Sequence, residues 1–297
     1  MHEWKRIVCP TDFSPPSRRA LGHAVALARR FGSSLTLLHV TPPYVALPFA
    51  FDPPGLAPTV TEEPQSLLDT LERFAQPARE ADVPVELMLD AGYPVDGILD
   101  LVRRTHADLI VMGTHGERGL RRWLLGSVTE RVLGMAACPV VTVPPADAGP
   151  SEIGQAEGAV LCPVDFSEGS PTVVRLAASL AGKLGARLLV LHVLEGPGPE
   201  AEARARMSCL LSRARATAVA EPVFVSGRPY REILRTAAER GAGWIVLGLR
   251  NRSALDRMRF GFTANHVVRE ASCPVLTVRP RVERVEETLD LVGSRYA

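Results

Sequence analysis

Two short stretches of the chain carry residue types that could do chemistry together. The first reads Gly113-Thr114-His115-Gly116, then nine residues, then Gly126-Ser127-Val128. Glycine admits positive φ and close backbone approach, so successive N–H groups can turn inward as an anion nest. Ser127-Val128-Thr129-Glu130 has the capping-box form and predicts a helix that starts there, with its positive end facing the same loop. The chemistry this favours is a phosphate cradle built from backbone donors rather than from lysine. The second stretch is Pro10-Thr11-Asp12, where Asp12 can accept from a ribose hydroxyl or a base amine, or tie down the bend as an Asx turn. His39 and His192 read as satisfied histidines at the edge of the core. Arg118, Arg121 and Arg122 interleave with Leu120, Trp123 and Leu124, which reads as a short amphipathic helix with a solvated basic face.

Those stretches need a scaffold, and the apolar pattern supplies one. Arg6–Pro10 is a short apolar run, followed by Ser14 as a helix cap with Pro15 preset at the first helical position. Leu21, Ala24, Val25 and Ala28 give one buried helical face, and Gly32 stops the helix. Strands are predicted over Leu35–Val40, Val85–Leu89, Leu109–Met112 and Val140–Val143, and helices around Leu67–Ala78, over Val95–Arg104 and over Ser127–Ala136. Pro77 is expected to kink or shorten its helix. Continuous apolar strands separated by helices imply a parallel sheet covered on both faces. With β1 central and the fourth strand beside it, a ligand crevice would open beyond the carboxyl ends of those two strands, collecting Asp12 and the glycine loop.

The pattern occurs twice. Cys9-Pro10-Thr11-Asp12-Phe13-Ser14 recurs as Cys162-Pro163-Val164-Asp165-Phe166-Ser167, and Leu38-His39-Val40 as Leu191-His192-Val193, both 153 positions on. Gly92-Tyr93-Pro94 and Cys138-Pro139-Val140 recur as Gly227-Arg228-Pro229 and Cys273-Pro274-Val275, 135 positions on. The first copy therefore holds 18 extra residues, which fall in the Pro-rich loop from Thr41 to Pro64. The expected organisation is a first domain over 1–146, a linker over 147–157, a second domain over 158–280 and a tail over 281–297. The fold class is α/β, with two tandem doubly wound domains, each a five-stranded parallel sheet with helices on both faces.

Composition excludes several classes. The 297 residues carry 34 basic and 33 acidic side chains, which argues against a nucleic-acid binder. Only Lys5 and Lys183 are lysines and neither sits in a P-loop. The five cysteines form no C-x-x-C, and Cys9, Cys138, Cys162 and Cys273 lie beside prolines in apolar segments, as inert thiols do. No stretch approaches a membrane span and the N-terminus has no apolar leader, so a cytoplasmic protein is expected. The Ala/Arg-rich stretch Glu200–Ala218 reads as an exposed helix.

The spacing Gly113-x2-Gly116-x9-Gly126-Ser127, after Val-Met and before a Cys-Pro-Val-Val-Thr-Val strand, resembles the universal stress protein family, and the similarity covers both halves. The resemblance implies a Rossmann-like universal stress protein fold and ATP, accompanied by Mg²⁺, in the first domain. Carried over by position, Pro10, Thr11 and Asp12 would flank the adenosine and Val40 would touch the base through its backbone. Met112, Gly113, His115, Gly116, Gly126, Ser127 and Val128 would line the ribose and phosphates. It also implies that the last strands, Val140–Val143 and Val275–Val278, pair into a pseudo-dimer within one chain. The tail is left to pack on the body or on another subunit as a homodimer.

The second copy departs from the motif. Asn251 stands where Gly116 does, and Gly261-Phe262-Thr263 replaces Gly126-Ser127-Val128. Phe262 removes a hydroxyl and puts a ring where phosphate would pass, so the second site is expected to be weak, altered or empty. Three functional readings stay open: a nucleotide-dependent stress-response regulator, an ATP hydrolase or nucleotidyl-transfer enzyme, and a nucleotide-free interaction scaffold. The enzyme needs a general base, for which only His115 and Asp12 are candidates. No Gly-x-Ser-x-Gly elbow supports acyl transfer.

Overall fold

A computed structural model describes residues 4–41, 64–115, 125–145, 158–196, 200–249 and 261–280. The Pro-rich loop over 42–63, Gly116, Asn251, the arginines at 118, 121 and 122, the linker and the tail lie outside the described residues. The first half runs β1 (Arg6–Pro10), α1 (Pro15–Phe31), β2 (Ser34–Thr41), α2 (Pro64–Glu80), β3 (Val85–Ala91), α3 (Pro94–Thr105), β4 (Leu109–Gly113), α4 (Ser127–Met135) and β5 (Val140–Val143). The second runs β6 (Ala159–Pro163), α5 (Ser170–Leu184), β7 (Arg187–Leu194), α6 (Glu200–Ala214), β8 (Ala220–Ser226), α7 (Pro229–Glu239), β9 (Ala242–Gly248), α8 (Phe262–Glu270) and β10 (Val275–Val278).

The ten strands form one sheet in the order β3-β2-β1-β4-β5-β10-β9-β6-β7-β8. Each half is parallel, with its first strand central and the fourth strand beside it. The halves join through β5 and β10, which pair antiparallel with Leu276 opposite Val141. The expected pairing of the last strands is thus observed, and it satisfies two edges that would otherwise be open. The seam has approximate twofold symmetry. Thr142 Oγ1 donates to the Val275 carbonyl at 3.3 Å, and Thr277 Oγ1 donates to the Val140 carbonyl at 3.1 Å. The equivalent residues Arg30 and Lys183 also meet, the guanidinium donating to the backbone carbonyl.

Strand β4 shows why these strands read as unbroken apolar runs. Leu109 and Val111 enter one apolar layer while Ile110 and Met112 enter the other, because successive side chains point to opposite faces. One layer packs under α1, α2, α5 and α6 and the other under α3, α4, α7 and α8. At α1, Ser14 caps the N-terminus through its side chain, Pro15 occupies the first turn and Gly32 closes the helix at φ 66°.

Some elements differ from expectation. Helix α2 continues past Pro77 to Glu80. Pro77 removes only its own N–H, close to the helix end, while buried Leu71, Phe74, Ala75 and Ala78 hold the face down and Val83 N–H closes on the Ala78 carbonyl at 2.9 Å. Helix α6 is shorter than the Ala/Arg-rich stretch and half-buried, with Ala203, Met207, Leu210, Leu211 and Ala214 inward. Its arginines lie over rings, Arg204 on Phe224 and Arg206 on Phe166. The cysteines behave as expected: burial pushes Cys9, Cys138, Cys162 and Cys273 up to about 12, which keeps them protonated.

Candidate functional site

The order reverses between β1 and β4, which pair in parallel with Val8 level with Ile110. Extending that register places Pro10 level with Met112 at the carboxyl ends. On the other side Pro10 pairs with Leu38, which carries Val40 level with Asp12. The topology therefore brings the predicted segments to one crevice.

The bend after β1 is braced from several directions. Thr11 is buried; its N–H donates to Leu38 at 2.8 Å and its hydroxyl accepts from Phe13 N–H at 2.9 Å. Asp12 Oδ1 accepts from the N–H of Ser14 at 3.1 Å and from its hydroxyl, so the Asx turn weighed for this residue is present. Asp12 is nonetheless exposed. Phe13 sits in left-handed conformation at φ 62°, which costs an L side chain about 1 kcal/mol or more. The His39 ring compensates by stacking on Phe13 at 4.5 Å, and its Nδ1 lies 2.8 Å from the Thr11 carbonyl. A carbonyl only accepts, so Nδ1 carries the proton. The second half repeats the device: Phe166 at φ 57°, His192 at 4.2 Å from its ring, and His192 Nδ1 at 3.0 Å from the Val164 carbonyl. Both histidines are satisfied core-edge residues, as expected. Their clamping of a strained Phe was not anticipated, although the Phe13/His39 and Phe166/His192 pairs recur at one offset.

Gly113 ends β4 against the start of α1. A Cβ there would come within 3.2 Å of Pro16 backbone and side chain and of the His115 carbonyl. This packing is what draws the Asp12 bend and the glycine loop together. Gly126 N–H donates to the Thr114 carbonyl at 2.8 Å, and Thr129 Oγ1 donates to the Gly113 carbonyl at 2.9 Å, pinning α4 to the end of β4. Thr114 and Thr129 are both buried braces that motif spacing did not single out.

One assignment at α4 is corrected. The cap is Gly126, with no side-chain hydrogen bond, and Ser127 is the first helical residue, exposed. Thr129 is committed to Gly113, so the helix follows Gly126 and begins one residue earlier than a Ser127 cap would allow. Gly126 has no side chain with which to accept from the first-turn N–H groups. Val128 packs on the apolar layer shared with Met112 and Val40, so these three shape the floor through backbone and bulk.

His115 leans on the loop, its Nδ1 2.9 Å from Thr114 Oγ1. Burial, with the Arg269 guanidinium as a lesser cause, holds its imidazole below the ordinary range and hence neutral. Its Nε2 is buried and finds no hydrogen-bond partner among the described residues.

In the second half the equivalent crevice encloses about 930 Å³. Asp165 is held like Asp12, accepting from Ser167 N–H at 3.0 Å and Ser170 Oγ at 3.2 Å. Phe262 takes the place of Ser127 as the first residue of α8, after a Gly261 cap. Its ring does not fill the crevice: it is 70% exposed, with Tyr230 at 5.8 Å and His266 at 4.4 Å.

Comparison with known proteins agrees with this architecture. Residues 3–144 and 158–279 each match the universal stress protein family. Universal stress protein MJ0531 of Methanocaldococcus jannaschii is 37% identical over 142 residues, covering 47% of this chain and 82% of its own. Universal stress protein Rv2623 of Mycobacterium tuberculosis is 28% identical over 292 residues, covering 92% of this chain and 96% of its own. A crystal structure of a universal stress protein from Archaeoglobus fulgidus superposes with a TM-score of 0.72 at 24% identity, covering 94% of this chain and 97% of that one.

Proposed function

Because the chain belongs to the universal stress protein family, we propose that its first half binds ATP between β1 and β4 and that occupancy regulates conformation or partner binding in a stress response. The observation that carries this reading is the start of α4. Its cap, Gly126, offers no side-chain acceptor, exposed Ser127 stands in the first turn, and the helix begins beside Gly113 and His115. Backbone donors and a helix dipole suit phosphate without a lysine. On the opposite side, Asp12 is pre-oriented by Ser14 to accept from a sugar hydroxyl. In this reading Pro10, Thr11, Asp12 and the Val40 backbone flank the nucleoside, while Met112, Gly113, His115, Gly116, Gly126, Ser127 and Val128 line the ribose and phosphates. Mg²⁺ would arrive on the phosphate oxygens.

Neutral His115 serves here as a loop residue, and the regulator reading asks for no general base. Calorimetric titration of nucleotide-stripped protein with ATP and Mg²⁺ tests the proposal. One ATP per chain, lost in Asp12→Ala, is expected. Absence of both heat and a thermal shift would retire the nucleotide reading in favour of a scaffold.

A further inference from the structure

The antiparallel seam turns the second half over relative to the first, and that brings the far end of α8 to the first crevice. Strand β5 ends at Val143, whose carbonyl accepts from the N–H of Thr114 at 3.1 Å and from its hydroxyl at 3.4 Å. Val275, at the start of β10, pairs with Thr142. Helix α8 ends at Glu270, shortly before Val275. Its last turn therefore lies beside the carboxyl end of β5 and the bend that carries Thr114 and His115. The other side of the seam shows the same relation directly. There Arg279, the residue after β10, donates to the Leu133 carbonyl in the last turn of α4 at 3.0 Å.

Arg269 is the cation of that last turn of α8. It is half-buried, and its Nη1 donates to Asn265 Oδ1 at 3.2 Å, one turn back. Burial first, and Arg269 after it, hold the His115 imidazole below its ordinary range. The His115 Nδ1 is engaged with Thr114 Oγ1 and its Nε2 meets no partner among the described residues, so Arg269 acts on the ring through its field. A field that disfavours an imidazolium favours a phosphate at the same place. Glu270, the neighbouring carboxylate, turns to His266 Nδ1 at 2.8 Å. The second crevice receives nothing comparable from α4, because the residue equivalent to Arg269 is Gly134.

We infer that the first crevice is a composite of both halves, in which Arg269 of α8 faces the phosphate end of the ligand and sets a preference for a polyphosphate over the bare nucleoside. The inference rests on the proposal that the first half takes ATP between β1 and β4, and it adds to that site a residue from outside the glycine motif and from the other half of the chain. A cation in the last turn also complements the dipole of α8 itself, a role that would act on folding and not on the number of phosphates bound.

Calorimetric titration of the full chain with ATP and with adenosine, each read at the site that Asp12→Ala removes, separates the two roles. A charge-assisted contact to phosphate implies that Arg269→Gln weakens ATP about tenfold or more while adenosine stays within about twofold. Arg269→Lys, which keeps the charge, should recover most of the ATP affinity. Arg269→Met, which keeps only the packed stem, should match Arg269→Gln and gives the same comparison should the Gln variant fail to fold. Equal weakening of ATP and adenosine would reduce Arg269 to a complement of its own helix, and an unchanged ATP affinity would place it away from the phosphates. Either result overturns the inference and leaves the first-crevice reading standing. If the unaltered protein binds ATP no more tightly than adenosine, the inference falls, and if it binds neither, the first-crevice reading falls with it.

Discussion

The two crevices share their bracing and differ in their lining. Behind each lies the same clamp, a left-handed Phe held by a histidine of the second strand. In front of it the repeats diverge. Pro16 packs on Gly113 in the first half, whereas its equivalent in the second is Gly169, where no Cβ fits because the Pro280 ring occupies the place. Gly248, the counterpart of Gly113, has Val173 against it instead, with a Cβ reaching Cγ2 at 2.9 Å. Chain from beyond β10 thus rebuilds in the second crevice what helix α1 supplies in the first. The comparison teaches that duplication kept the parts that hold the bend and released the parts that meet a ligand.

The largest effect that would break the comparison is at the glycines. Gly113→Val should push Pro16 and the loop apart and abolish ATP binding, a loss of about a thousandfold or ~4 kcal/mol read by calorimetry. Gly248→Val should leave that ATP stoichiometry intact. Equal loss from both variants would mean that the crevices do not act separately.

Acid sensitivity distinguishes the halves next. His23 is buried in α1 where the second repeat has Leu176, and desolvation, with Arg19 adding to it, lowers its pKa to about 4. The unfolded chain takes up this proton near 6.5 and the folded chain only near 4, so unfolding binds a proton between those values. The stability present above pH 6.5 is therefore lost as the pH falls toward 4, by about 3 kcal/mol. His23→Leu, copying the second repeat, should flatten that part of the denaturation profile. An unchanged slope would assign the acid response to other groups.

A smaller asymmetry sits at the seam. Arg279 reaches across to the C-terminal turn of α4 through the Leu133 carbonyl, while its counterpart in the first repeat is Pro144, which has no donor. A cation at a helix C-terminus is favourable, so Arg279→Ala should cost about 1 kcal/mol in urea unfolding and Arg279→Lys less. Smallest, and equal in both repeats, is the helix stop: Gly32 at φ 66° and Gly185 at φ 69° should each lose about 1 kcal/mol on replacement by alanine. Unequal losses would show that the halves unfold separately.

Much of this was legible in the chain. Continuous apolar runs locate the strands, with β1 and β5 matching end to end, and Ser14, Pro15 and Gly32 mark the limits of α1 because capping depends on neighbours in sequence. The glycine spacing located one side of the crevice for the same reason. Ser127 is not the cap its sequence suggests, because the hydroxyl that decides the helix start, Thr129, bonds to Gly113, sixteen residues away, a contact that exists only once β4 and α4 are packed. Pro77 does not end α2, because local propensity omits the buried face that carries the helix through it.

By itself, then, the sequence determined the duplication, the α/β class and the residues of the glycine loop, since each follows from local pattern and covalent order. Only the tertiary structure decided the antiparallel register of β5 on β10, with Leu276 opposite Val141, that Phe262 turns onto Tyr230 and His266, and that Pro280 fills the space above Gly169. Those outcomes depend on contacts between residues far apart in the chain, and packing complementarity at such distances has no local signature.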